Sequence, residues 1–397
     1  MTGVIPRAAR APVHPVYDRS IATWLLLCSA LVFVTVLVGG ITRLTHSGLS
    51  IVEWKPLMGV IPPITEARWR DAFGQYQRTP EYQKVNRGMS LEAFKDIYWV
   101  EWVHRLAGRL IGVVFFVPFV YWWVRGRLPP ALMPRLVGLF ALGGLQGALG
   151  WYMVASGLVD LPRVSPYRLA AHLGLAAVVF GGLFWTALDL LRPRPAPAPI
   201  PVSAGVRRLA TAVTALVLVV IVSGAFVAGT RAGFAFNTFP LMGGRVIPEG
   251  LFSERPLWIN PFENSVMVQF DHRLLAGLLG LLIGWLWWQL SRPWRVAATR
   301  AAAHLLLGCL MLQVALGVAT LLYVVPTPLA VLHQGSAFVL LGAAVLVRHR
   351  VRPGGRSTWA PAGPATDIPR HMTAVIPPDR DRRHALERQK ATRPLTY

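Results

Sequence analysis

Of the ten histidines in the 397-residue chain, four sit in strings that recur. Glu101-Trp-Val-His104-Arg-Leu matches Gln269-Phe-Asp-His272-Arg-Leu at an offset of 168, and Leu-Ala-Ala-His172-Leu-Gly matches Ala-Val-Leu-His333-Gln-Gly at an offset of 161. All four fall in long apolar blocks, where a polar side chain is costly and usually functional. A single buried imidazole is readily satisfied by a neighbouring carbonyl, but four of them, paired by a repeat at equivalent depth, ask for more. Two imidazoles facing each other across a helical bundle suit the axial positions of an iron held in a planar macrocycle. Zinc would call for three or four ligands that include Cys or carboxylate. The expectation is two hemes, one between His104 and His172 and one between His272 and His333.

The remaining chemistry clusters beside these four. Arg43, Arg105, Arg231 and Arg273 stand at the ends of apolar blocks, an equivalent pair in each half, and a guanidinium there suits a heme propionate bidentately. Interfacial snorkelling or pairing with a loop acid is the alternative. Three residues before a ligand, one half has Glu101 where the other has Gln269. A carboxylate one helical turn from an iron ligand can relay protons in a way a carboxamide cannot. The alternative is a simple i,i+4 pair with Arg105. Asp271 is the rival acid, read as an orienting or charge-balancing group. His46 is a less favoured candidate. His304 has no counterpart in the repeat, and His14, His349, His371 and His384 lie in the termini or at their edge. Cys28 and Cys309 read as packing residues. Without a CxxCH string covalent heme attachment is excluded, and no disulfide pair is expected.

The elements that must position these residues are membrane helices. The chain is 54% hydrophobic and 15% charged, with a formal charge of +22. Its apolar residues form unbroken blocks of about 20 residues, enough to cross a hydrocarbon layer of ~30 Å. Soluble and nucleic-acid-binding classes are thereby excluded. Spans are expected at 21–42, 101–124, 132–155, 169–191, 208–229, 267–290, 301–324 and 328–348. Pro118 and the many glycines are tolerable there. The predicted fold is all-α, eight transmembrane helices arranged as two tandem, pseudo-symmetric four-helix bundles.

Further matches support the duplication. Gln146-Gly-Ala-Leu-Gly150 repeats as Gln313-Val-Ala-Leu-Gly317, Pro56-Leu-Met-Gly59 as Pro240-Leu-Met-Gly243, and Thr42-Arg43 as Thr230-Arg231. An even number of spans per copy gives both copies the same orientation, which lowers a transporter reading based on inverted repeats. Sorted by loop, one side carries a charge of +18 and the other +2. By the positive-inside rule both termini are cytoplasmic, and the outer loops 43–100 and 230–266 lie outside with all four histidines near them. The expected organisation is a cytoplasmic N-terminus (1–20), a first bundle (21–191), a Pro-Ala linker (192–207), a second bundle (208–348) and a basic tail (349–397) predicted to be disordered.

These residues resemble the heme A synthase family of eight-span membrane enzymes. The resemblance is carried by GGITRLTHSGLSIVEWKPLMGVIPP (39–63), EWVHRLAGRLIG (101–112), QGALGW (146–151), NTFPLMGG (237–244), FDHRL (270–274) and HQG (333–335), and covers residues 20–348. It implies that the N-terminal half holds heme O as substrate and heme A as product between His104 and His172, with Glu101 as the catalytic carboxylate. It implies a heme b cofactor between His272 and His333. The implied reaction oxidises a methyl group of heme O to a formyl group through hydroxylated intermediates. The implied partners are a heme O synthase (protoheme farnesyltransferase) and an electron carrier such as a ferredoxin, in a bacterial inner membrane. A homo-oligomer is compatible with all of this. The cysteine pair that some members carry in the first outer loop is missing here, so no thiol role applies. Competing classes are a di-heme electron-transfer protein, in which both hemes are permanent, and a heme-handling transporter. A lone acid in one half speaks for catalysis.

Overall fold

The computed structural model describes residues 19–53, 58–159, 162–191 and 202–353. Residues 1–18 of the expected N-terminus, 354–397 of the expected tail, most of the Pro-Ala linker, and Pro56 and Leu57 of the first Pro-Leu-Met-Gly string lie outside the described residues. The described chain is helical, with no strand. Eight helices are long and apolar enough to cross a membrane: α1 (Arg19–Leu44), α4 (Leu91–Val124), α5 (Met133–Ala155), α6 (Pro166–Leu191), α7 (Ala204–Gly229), α9 (Ser265–Leu290), α10 (Ala297–Leu322) and α11 (Thr327–Arg350). Three short helices, α2 (Glu66–Tyr76), α3 (Pro80–Lys84) and α8 (Asn260–Glu263), lie in the two long loops.

The helix ends follow local chemistry. Ser90, Ser203 and Asn264 cap α4, α7 and α9 by accepting backbone N–H groups of the first turn. Proline occupies the first turn of α5 and α11, where its missing N–H is harmless. Pro118 is accommodated inside α4.

Two departures from the sequence expectation have a clear cause. The helix of the second span starts at Leu91, ten residues before the apolar block. At 34 residues it is about 51 Å long, well beyond a ~30 Å hydrocarbon layer. Its first turns are held by an aromatic cluster in which Phe94 and Tyr98 pack on Trp69 and Tyr76 of α2. A helical stretch outside the apolar block was not visible from hydropathy alone. At the other end of the chain α11 continues to Arg350, so His349 is no tail residue but a buried one.

Helices α1, α6, α7 and α11 form the interior. α1 packs on α4, α6 and α11, and α7 packs on α6, α9 and α11. α5 lies against α4 and α6, and α10 against α9 and α11. α5 buries only Leu136 and Leu139, as expected of a helix that faces lipid. One polar contact stitches the interior together: Gln334 of α11 donates to the Val36 carbonyl of α1 at 2.7 Å. Gly40 keeps the space for it, since a Cβ there would lie 3.0 Å from the amide nitrogen.

A second polar lock closes the C-terminal end of α6. The buried Asp189 carboxylate accepts from Arg135 of α5 at 2.7 Å and from His349 of α11 at 3.1 Å, and pairs with Arg352 as well. His349 also packs edge-on against Trp185 at 5.2 Å. Removing one partner of a buried ion cluster strands the others, at about 3–5 kcal/mol. Asp189→Ala is therefore expected to lower the thermal midpoint in detergent markedly, whereas Arg208→Ala, at an exposed position of α7, is expected to change it little. Equal midpoints for the two variants would show that the cluster is not a lock.

Candidate functional site

Each of the four repeat histidines is pressed onto a glycine of the adjacent helix. A Cβ added at Gly39 of α1 would lie 2.8 Å from Cε1 of His104 on α4, and one at Gly150 of α5 would lie 3.0 Å from Cε1 of His172 on α6. A Cβ at Gly224 of α7 would lie 3.3 Å from His272 on α9, and one at Gly317 of α10 would lie 2.7 Å from His333 on α11. The absence of a side chain lets the ring sit flush against the neighbouring helix and fixes its plane. In each half the two imidazoles are electrostatic neighbours.

Polar partners complete the orientation. Gln146 donates to the His172 carbonyl at 3.1 Å and lies 3.4 Å from its Nε2. Gln313 lies 3.3 Å from Nδ1 of His333 and accepts from Ser336, while His272 Nδ1 is 3.2 Å from the Ser223 hydroxyl. Nδ1 of His104 and of His172 is buried with no hydrogen-bond partner. Among the described residues no group of three or more His, Cys, Asp or Glu is assembled as a metal site. Two imidazoles per half, cradled by glycine and partly orphaned, therefore fit an iron whose other ligands come from a macrocycle.

His104 and His172 open onto a cavity of ≈ 640 Å³, within the usual size range for cofactor sites. Its walls are largely apolar, and Glu101, Arg43, Arg105, Arg109, Arg163 and Arg231 also line it. The arginines supplied by the two halves do not keep to separate sites. Arg231 follows α7 in a left-handed turn (φ +58°) and contributes to the first-half cavity. Arg43, at the end of α1, donates to the Ala228 carbonyl near the C-terminal end of α7, where a cation is favoured. Arg273 donates to the carbonyls of Phe236 and Pro240, at 3.1 and 3.5 Å, and is not among the cavity residues. His46 lines the cavity too; burial first, then the Arg231 and Arg43 guanidinium groups, hold its imidazole below the usual range.

Glu101 is buried and fully engaged as an acceptor. One oxygen takes the Ser50 hydroxyl at 2.7 Å and the Ile51 N–H at 2.8 Å; the other takes Arg105 Nε at 2.9 Å. Arg105 also donates to the Ile51 and Glu53 carbonyls. Glu101 and Arg105 together thus pin the loop after α1. The i,i+4 pair considered from sequence exists, on the same carboxylate that lines the cavity. In the second half Gln269 donates to the Phe236 carbonyl at 3.1 Å, the same acceptor that Arg273 uses. The Glu-to-Gln difference therefore matches the polarity of the loop each residue holds. Asp271 is not among the cavity residues.

A family model for the cytochrome oxidase assembly proteins (COX15-CtaA) matches residues 22–345. The chain belongs to this family. It is 50% identical over 348 residues to a protein of Parvibaculum lavamentivorans named heme A synthase, a match covering 88% of this chain and 99% of that relative. Proteins of the same name from Nitrosospira multiformis and Rhodospirillum centenum are also 50% identical, over 84% and 87% of this chain and 94% and 91% of their own lengths.

Sequence reasoning missed one cavity residue with a chemical handle. Glu81 of α3 is buried and lines the same cavity, yet an acid in a polar loop with no counterpart in the repeat reads as solvated. The glycine partners of His104 and His272, Gly39 and Gly224, were likewise not singled out, because only packing pairs them with a ring.

The glycine cradles can be tested directly. Gly39→Ala and Gly150→Ala are expected to displace His104 and His172 and weaken binding of added iron protoporphyrin to the first half at least several-fold, read by Soret titration. Gly112→Ala, where a Cβ meets nothing within 4 Å, is expected to bind like the parent chain.

Proposed function

We propose that the chain is a heme A synthase, an oxidoreductase that converts a methyl group of heme O into the formyl group of heme A for terminal oxidases. The observation that carries this reading is a single apolar cavity bringing together His104, His172, a buried carboxylate and a cationic rim. Identity to proteins named heme A synthase over nearly their whole length supports it.

In this reading residues 21–191, with outer loop 43–100, form the substrate bundle. Residues 208–348, with outer loop 230–266, form a second bundle that holds heme b between His272 and His333. Residues 192–207 link the two. The matched glycine–histidine contacts support such a duplicated arrangement. The charge asymmetry supports cytoplasmic termini, with the basic tail that follows α11 inside and both heme sites toward the periplasmic side of the inner membrane. Bound heme b would supply one-electron transfer. A heme O synthase would deliver the substrate, and a carrier such as a ferredoxin would take up electrons. A homo-oligomer is compatible with this arrangement.

The residues divide the work. Apolar walls hold the ring and exclude water. Arg43 and Arg231 take the propionates, with Arg105 beside them, and so set which ring edge lies near Glu101. His104 and His172 flank the substrate iron. Glu101, clamped by Ser50, Ile51 and Arg105, is held in one position facing the cavity. A preorganised carboxylate in a water-poor site would stabilise positive charge as it develops on the substrate.

In a host that makes heme O but lacks its own synthase, the parent chain is expected to yield heme A in acidified organic extracts. Glu101→Gln is expected to cut heme A at least tenfold while heme O accumulates on the protein. Unchanged heme A in that variant would remove Glu101 from the catalytic role. Heme B alone, at two per chain, would replace the synthase with a di-heme electron relay.

A further inference from the structure

The first-half cavity contains a second carboxyl, supplied by the loop between the first two spans. Glu81 sits on α3, capped by Thr79, and is 3% exposed. Among the described residues its carboxyl forms no ion pair, and its hydrogen-bond partner is the Tyr76 hydroxyl at 3.3 Å. Asn86 donates its amide N–H to that phenol oxygen at 2.7 Å, which leaves the phenol proton directed at Glu81. Tyr76 itself is completely buried, in the aromatic cluster that holds α2 against α4.

The two cavity carboxyls are therefore different chemical objects. Glu101 receives O–H and N–H donors on both oxygens, from Ser50, Ile51 and Arg105, and those contacts pin residues 50–53. Among the described residues Glu81 has one neutral donor, no cation within ion-pair distance, and an aromatic surround. Such a carboxyl can gain or lose a proton without rearranging the loop. Tyr76 of α2 and Glu101 of α4 are the titratable groups that face it. Burial pushes the Glu81 carboxyl up to about 7, against the pull of the Tyr76 hydrogen bond and helped by the Glu101 charge. Near neutral pH both of its forms are then populated, the condition for efficient general acid–base exchange.

We infer that Glu81 is the proton-exchanging carboxyl of the first-half cavity, while Glu101 serves to clamp the loop. This deepens the synthase reading and rests on it. It places the acid–base step where the hydrated aldehyde loses water. The carboxylic acid gives its proton to one hydroxyl, whose C–O bond breaks as water departs. The carboxylate then takes the proton of the other hydroxyl as the C=O bond forms. No electrons are exchanged in that step, and the carboxyl ends as it began.

The test combines a direct titration with turnover. In pH-induced infrared difference spectra of the purified full-length protein in lipid nanodiscs, a protonated-carboxyl band is expected to titrate with a midpoint near 7 and to vanish in Glu81→Gln. The same variant is expected to keep heme O binding, to form heme A at least about tenfold more slowly, and to lose the limb of the pH–rate profile near neutrality. Glu81→Asp is expected to restore part of the rate with a displaced limb. A second signature follows from linkage. A carboxyl raised from 4.5 to about 7 on folding stabilises the fold fully below the lower value, and this contribution is lost as pH rises through the upper one. The parent protein should therefore lose more thermal stability than Glu81→Gln over that window. Persistence of the infrared band in Glu81→Gln would overturn the inference. So would an unchanged rate and pH profile, or loss of heme O binding in step with rate. Absence of heme A from the parent chain would instead overturn the synthase reading, even with the band intact.

Discussion

An imidazole packed between apolar helices must either find a partner or bring one in. Four such imidazoles organise this molecule. Each is wedged against a glycine of a neighbouring helix, so helix spacing, ring plane and the direction of the free nitrogen are set together. The pairs α1/α4, α5/α6, α7/α9 and α10/α11 are the pairs that carry these contacts, and any shift of one helix along its neighbour would push a backbone into a ring. The polar price of burying these rings is met by glutamine and serine in part, and otherwise left for a ligand.

The loops follow from the same constraint. A site near the end of a helix needs a cover, and both covers are tied to the helix that bears a histidine. Glu101 and Arg105 hold residues 50–53 by accepting and donating; Gln269 and Arg273 hold residues 236–240 by donating alone. One residue type thus answers two demands in the first half, loop anchoring and a carboxyl facing the cavity. The left-handed turn at Arg231 and the reach of Arg43 to α7 make the cationic rim a joint product of both halves. The first-half cavity is consequently not assembled from residues of the first half alone.

Much of this was legible from sequence because membrane burial and repetition leave strong patterns. Eight apolar blocks predict eight spans, and His104, His172, His272 and His333 stand out since each lies in a string that recurs. The boundaries of α4 were not legible, because residues 91–100 are held by Trp69 and Tyr76 rather than by hydropathy. Glu81, the Asp189–His349 lock and the direction of Arg231 were not legible either. Each depends on a contact between segments distant in the chain, and nothing local to PEYQK or RHR reports it.

What the sequence by itself determined is the class of molecule: an all-helical membrane protein with candidate iron ligands in recurring strings and two acids there, Glu101 and Asp271, without counterparts. Those follow from composition, period and repeat, all properties of single segments. Only the tertiary structure decided which groups share a cavity, which glycine receives which ring, and which carboxyl is clamped and which can titrate. The reason is physical. Whether a charge is fixed or exchangeable depends on the donors and the burial around it, and those are supplied by other parts of the chain.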